Sequence, residues 1–481
     1  MRDTGTTASG NNRSAPPIGF IFLLLLLYGL LAVGTIHFSM EVTVGVFVAF
    51  VVYLLTFMDI RVGLVLMLVA IGISPEMEFS GISMRIEDFI IPAVTVAWIT
   101  RMIDRREALE PSPLKMPILL LLFAMAVSSL NGTALGYVPG KTAFFHYFKY
   151  VQFMLIYVLA LNNIRTLREI YTFVTALVAV SAIVGLYGIW QYFNRGEYYS
   201  MYRITGPYGE TASVLGGYLT FHIVMAIGLF IHAGSVRVRV FLGILIVVLL
   251  FPFLYTLSRS AYVALLGGLV LLGVVKRRKL LVGIFVILVL FPIIFPVEVV
   301  QRVSSILDVF YRKPPSSWSA RVDAWKYYSQ FIIQAPLIGH GAGVVPLGFV
   351  DNEYIKQLLE GGIAGLLLFL WFLFRVIRTC LAMVDRLEDR VLKGFVTGYL
   401  GGLFSLMIQG VAITNFTTIR TMEPFFFATG IVTVIAIHYA RLAKEPGEAE
   451  DVVPERIPAP PGRPGRRAPA LPQRRPFRTV T

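Results

Sequence analysis

At 481 residues, with 57% hydrophobic residues against 15% charged and a formal net charge of +14, the chain is too long for one small domain and too apolar for a soluble protein. Its apolar stretches recur near the roughly 20 residues a helix needs to cross hydrocarbon, and they do not alternate over short segments as membrane β-barrel strands would. The single Cys380 excludes an internal disulfide and a thiolate metal cluster.

In chain order, a polar leader (1–17) carrying Arg2 and Arg13 precedes an apolar run at 18–36, read as a signal anchor because no small-residue cleavage site follows. Further spans are expected at 42–58, 61–74, 87–103, 116–130, 144–162, 168–193, 212–232, 238–257, 259–275 and 279–296. A long loop (297–351) interrupts the series, which resumes at 356–378, 393–413 and 424–441 within a C-terminal membrane segment, 352–444. The expectation is an all-α polytopic membrane protein with about 12–14 transmembrane helices and one large outer loop.

Orientation follows from the positive-inside bias. With the amino terminus inside, the cytoplasmic turns carry Arg61; Arg101, Arg105, Arg106 and Lys115; Arg165 and Arg168; Arg237 and Arg239; Lys276 to Lys279; and Arg375, Arg378, Arg386, Arg390 and Lys393. Both termini are then cytoplasmic, and the net charge is chiefly a topology signal, with no soluble basic face for nucleic acid. The Pro- and Arg-rich tail, 445–481, is too polar to bury a core, and its expected contact is anionic membrane lipid.

Basic residues on the outer side run against that bias and need another explanation. Arg203 lies in a turn-rich segment, Tyr202 to Gly209; Arg259 follows the very short link Thr256-Leu257-Ser258, with Ser258 placed to cap the next helix. An interfacial anchor whose side chain snorkels to water is the plainer reading of Arg259. Within the long loop, Ser319 to Gln334 reads as an amphipathic helix with Val322, Trp325, Tyr328 and Ile332 on one stripe and Arg321 off it, ended by Pro336 and Gly339. Such a helix fits the membrane surface, with Trp325 as anchor.

After the turn around His340 come Asp351, Asn352, Glu353 and Tyr354, at the mouth of a span; acid residues there also serve as helix caps. Three guanidiniums and a carboxylate on one side suit a diphosphate, whose oxygens match the guanidinium fork, and a proton acceptor for an attacking hydroxyl. A phosphate-binding loop ending in Lys-Ser or Lys-Thr, an Asp-x-Asp pair and a His-Glu-x-x-His helix are all missing from the sequence, so nucleotides, nucleotide sugars and zinc have no support and no cofactor is expected. His146 and His222 fall inside spans and read as packing residues.

Four stretches together resemble the bacterial O-antigen ligase and O-antigen polymerase superfamily. Arg203-Ile204-Thr205-Gly206 is similar to its Arg-x-x-Gly loop, and Thr256-Leu257-Ser258-Arg259 to its Thr-x-Ser-Arg turn. Arg321 to Trp325, then Pro336 to Gly339, is similar to its Arg-x-x-x-Trp helix ending in Pro-x-x-Gly. Asp351-Asn352 followed by Gly362 and Gly365 keeps the spacing of the motif that begins His-Asn in ligases, with Asp351 in place of the histidine.

The resemblance implies a metal-independent transferase of the C-type glycosyltransferase architecture in the bacterial cytoplasmic (inner) membrane. It would move glycan from undecaprenyl diphosphate to a hydroxyl of an acceptor glycan or glycolipid at the outer face. Arg259, Arg321 and Asp351 are the expected catalytic residues; Arg203, Asn352, Tyr354 and His340 are expected to bind substrate. Loss of the histidine favours a repeat-unit polymerase over a ligase that attaches O-antigen to the lipid A core. A flippase for lipid-linked oligosaccharides is the rival class; it calls for internal repeats and mid-membrane charges, which the sequence does not show.

Overall fold

The computed structural model describes residues 40–74, 77–79, 82–194, 203–207, 211–275, 278–306, 316–345 and 350–442. The leader, the first expected span and the tail lie outside these residues, as do Tyr202, Tyr208 and Gly209. The chain divides at His438: residues up to Ile437 form one compact unit, and the second is described only for the end of the last helix, which closes at Leu442.

Every expected span within the described residues is a helix: α1 (Met40–Met58), α2 (Ile60–Ile73), α3 (Glu87–Arg105), α4 (Lys115–Ala134), α5 (Gly140–Asn163), α6 (Leu167–Phe193), α7 (Ala212–His232), α8 (Val236–Tyr255), α9 (Arg259–Val275) and α10 (Arg278–Ile294). After the long loop follow α13 (Glu353–Val384), α14 (Arg390–Gln409) and α15 (Ile419–Leu442). Among the described residues, eight helices are long and apolar enough to cross a membrane. α3 matches them in length but carries Glu87, Asp88, Arg101, Asp104 and Arg105. The protein is an all-α polytopic membrane protein, apart from a two-stranded antiparallel hairpin, β1 (Met77–Phe79) with β2 (Ile82–Met84).

The long loop holds two helices, α11 (Val297–Ser304) and α12 (Ser316–Gln334). The stripe expected to face lipid instead docks on protein: Ala324 and Tyr328 are buried with Val344, Val350 and Leu359, and Phe331 and Ile332 pack beside them. Trp325 packs edge-on against Trp318, and its indole nitrogen is buried, which removes it from the role of interfacial anchor. An amphipathic stripe reports that one face is dry, not what dries it.

Two glycine contacts set the frame. Gly394, Gly398 and Gly402 recur at every fourth residue of α14 and let its backbone meet α7: a methyl group added at Gly398 would fall 2.5 Å from the Met225 carbonyl oxygen. Without a hydrophobic force between helices in lipid, such small-residue seams supply close packing. The second is Gly362, where α13 breaks with φ +64° and ψ −165°, a conformation essentially reserved for glycine.

The break frees backbone groups that hydrocarbon could not satisfy, and the turn after α12 satisfies them. His340 and Gly341 N–H donate to the Leu359 and Glu360 carbonyls at 2.8 and 3.0 Å, while Ile363 and Ala364 N–H donate to the Pro336 and Leu337 carbonyls at 2.8 and 3.2 Å. Ser128 of α4 also donates to the Glu360 carbonyl. The Pro336-to-Gly339 turn and the Gly362 motif, read separately in the sequence, are thus two halves of one joint.

Candidate active site

The site begins at the link between α8 and α9. Leu257 sits at φ +48°, a left-handed conformation that costs a non-glycine residue on the order of 1–2 kcal/mol. This strained turn offers its carbonyls to two arginines. Arg203 Nε donates to the Thr256 carbonyl at 2.7 Å and Arg302 Nε to the Leu257 carbonyl at 2.9 Å. Arg203 is held there from behind: Ile204 is fully buried and its N–H donates to the Tyr255 carbonyl at 3.1 Å, while Gln191 Oε1 accepts from the Thr205 and Gly206 N–H groups. Ser258 is buried and its hydroxyl lies against those of Ser213 and Ser260.

Arg259 opens α9 and reaches Ser305 at the end of α11, with Nη1 3.5 Å from both the carbonyl and the hydroxyl oxygen. Arg203 thereby has company. Burial first, then the neighbouring Arg302, with Arg259 and Arg321 adding to it, holds its pKa below the ordinary guanidinium value. Arg203, with the guanidiniums of Arg302, Arg259 and Arg321 acting on it, lies in a positive field suited to a multiply charged anion. Arg302, not among the residues expected from the sequence, carries the same signal as the others, a cation on the disfavoured side.

Arg321 projects from α12 and its Nε lies 3.1 Å from Asp351 Oδ2. Neither side chain is sealed off, with 23% of Arg321 and 39% of Asp351 exposed. The structure therefore brings together Arg203, Arg259 and Arg321 and sets Asp351 on the last of them.

Of the remaining expected binding residues, Asn352 and Tyr354 have hydrogen-bond partners within the fold. Asn352 is the N-cap of α13, its Oδ1 accepting from Tyr354 and Ile355 N–H at 2.9 and 3.1 Å. Tyr354 donates its hydroxyl to the Met407 carbonyl at 2.8 Å. His340 is buried with its ring edge-on to Tyr137, centroids 4.6 Å apart, and neither ring nitrogen has a protein hydrogen-bond partner; burial pushes its pKa down. Asn352 and Tyr354 thus fix the start of α13 just after Asp351, and His340 enters the joint at Gly362 through its backbone N–H. His222, read as a packing residue, is buried and bonded to the Tyr218 carbonyl at 2.8 Å.

Glu353 and Glu360, acids at the mouth of a span in the sequence, are both fully buried and bonded. Glu353 Oε2 accepts from Phe416 N–H at 2.9 Å and Oε1 from Gln357 at 2.8 Å. Glu360 accepts from the Tyr150 hydroxyl at 2.6 Å and from Gly343 N–H at 2.9 Å. No group of three or more His, Cys, Asp or Glu side chains with metal-ligand geometry occurs among the described residues.

Residues 244–370 match the family model described as O-antigen ligase. The matched stretch contains Arg259, Arg302, Arg321, Asp351 and the Gly362 break, and the match supports a likeness to the O-antigen ligase and polymerase superfamily over this part of the chain. Comparison with curated proteins found no match for the chain.

Proposed function

We propose that this protein transfers glycan from an undecaprenyl diphosphate donor to a hydroxyl of an acceptor glycan at the outer face of the cytoplasmic membrane, as a metal-independent repeat-unit polymerase. The observation that carries the reading is the guanidinium cluster of Arg203, Arg259, Arg302 and Arg321 with Asp351 paired to one of its members.

In this reaction the acceptor hydroxyl oxygen bonds to the anomeric carbon of the donor sugar as the bond from that carbon to the diphosphate oxygen breaks. The bonding pair leaves on the diphosphate, where Arg259 and Arg321 neutralise it and Arg203 and Arg302 hold the field. The hydroxyl proton passes to Asp351, whose pairing with Arg321 fixes the carboxylate beside the leaving group. A carboxylate where ligases have histidine supports polymerase chemistry over ligation to the lipid A core. The buried Glu353 and Glu360 lie in the first turns of α13 and accept hydrogen bonds within the fold, which supports an enzyme over a flippase.

The experiment supplies purified protein with a lipid-linked repeat unit, alone and together with a core glycolipid. Lengthening of the lipid-linked glycan is the expected product. Transfer to the core glycolipid alone would make the protein a ligase, and no covalent product with either acceptor would remove the transferase reading.

A further inference from the structure

A second polar feature lies at the same end of the bundle and plays no part in the chemistry above. The starts of α3, α5, α13 and α15 enclose a cavity of about 570 Å³, within the size range of small-ligand sites. Its walls carry four cationic side chains, Arg85, Lys141, Lys149 and Lys356, against two carboxylates, Asp88 and Glu360. Lys149 pairs with Asp88, and Lys356 lies 3.7 Å from Glu360 and donates to Thr417 at 2.9 Å. The carboxylates hold two lysines in place, and the balance of the cavity remains positive.

Helix stability does not account for these cations. Lys141 is exposed in the first turn of α5, where the helix dipole disfavours a positive charge. Phe145 and Tyr150 add aromatic surface to the same walls, beside the hydroxyls of Thr142 and Thr417. Ammonium groups, hydroxyls and ring faces together match a carbohydrate that bears acid groups. The lysines present separate point charges, which suit carboxylates spaced along a glycan better than the paired oxygens of one diphosphate.

The cavity and the arginine cluster share one helix: Asp351, just ahead of α13, pairs with Arg321, while Lys356 and Glu360 of α13 line the cavity. Glu360 further takes the Gly343 N–H from the turn that follows α12.

We propose that this cavity is the acceptor subsite and binds an acidic oligosaccharide through Lys141, Lys149, Lys356 and Arg85. The inference deepens the transferase reading and rests on it for the word acceptor; the binding itself stands on the cavity.

The test is equilibrium binding to the full-length protein in lipid nanodiscs. Three probes are used: trigalacturonate, an uncharged trisaccharide of the same size, and inorganic diphosphate. Trigalacturonate binds the wild type and the uncharged sugar binds far more weakly. Lys141→Glu weakens trigalacturonate binding by about tenfold, the scale of a lost charge-assisted contact, and leaves diphosphate binding at the wild-type value. Lys356→Gln weakens it similarly, but its bond to a buried carboxylate makes Lys141→Glu the cleaner variant. Arg259→Gln has the opposite pattern, losing diphosphate and keeping trigalacturonate.

Absence of trigalacturonate binding to the wild type, equal binding by the uncharged sugar, or indifference to Lys141→Glu overturns the proposal. Displacement of trigalacturonate by diphosphate in the Arg259→Gln protein would make the cavity a second diphosphate seat and overturn it equally. Failure of diphosphate to bind the wild type, with trigalacturonate still bound through Lys141, would instead remove the donor reading and leave the cavity standing.

Discussion

Arg321 Nε and Asp351 Oδ2 lie 3.1 Å apart, joining a helix of the long loop to the residue just ahead of the span that follows it. The contact uses one nitrogen of the guanidinium and one oxygen of the carboxylate, so each group keeps further hydrogen-bonding capacity for a substrate. A planar fork can serve a carboxylate and a phosphate at once. An ammonium, with its charge at a point on a flexible stem, cannot hold the same two partners in fixed geometry. Arg321→Lys should therefore fold normally and lose turnover by about tenfold or more in the lipid-linked glycan assay. Near-normal turnover would mean that charge alone is needed at this position.

Asp351 separates proton transfer from a structural ion pair. If it accepts the acceptor's proton, Asp351→Asn should cut turnover by roughly 10²-fold or more, the usual scale for loss of a general base. Asp351→His should recover part of that loss, with a rate that rises with pH as the imidazole sheds its proton near pH 6 to 7, since only the neutral ring accepts one. The neighbouring Arg321 cation favours the neutral ring and moves that rise toward the lower end. If Asp351 serves only to hold Arg321 in place, a histidine cannot supply the lost negative charge, and Asp351→His should be no better than Asp351→Asn.

Gly362 tests the joint. An added Cβ there would lie 2.4 Å from the Leu337 carbonyl carbon and oxygen, in backbone that cannot step aside, and the left-handed φ adds its own strain. Gly362→Ala should destabilise the protein by on the order of 3 kcal/mol, read as a lowered midpoint in thermal unfolding of the purified protein. Gly365→Ala, where the nearest atom is the Met125 methyl at 3.5 Å, serves as the control and should shift the midpoint little.

Orientation is tested in intact cells with a membrane-impermeant maleimide. Gly140 opens α5 and Gly234 lies in the link between α7 and α8, and both are exposed. Cysteine at Gly140 should label and cysteine at Gly234 should not, while the buried native Cys380 stays silent. Labelling at Gly234 without Gly140 would place the arginine cluster on the inner side and defeat the proposed donor.

The sequence by itself determined the spans and the order of the arginine motifs, because apolar run length is a local property that the thickness of hydrocarbon reads directly. It placed α7 and α9 to the residue, at 212–232 and 259–275. It started α13 at 356 rather than Glu353, since Glu353 looks like a loop residue until one knows that protein, not lipid, surrounds it. Tertiary structure alone decided that Asp351 rests on Arg321, thirty residues away, that Arg302 joins the cluster, and that Lys141 and Lys356 share one cavity. Those relations depend on which helix ends meet when Gly398 closes on α7 and the loop seals the break at Gly362. Hydropathy fixes how far each helix runs through the membrane, but the angular position of a side chain around the bundle is set by packing between segments distant in sequence.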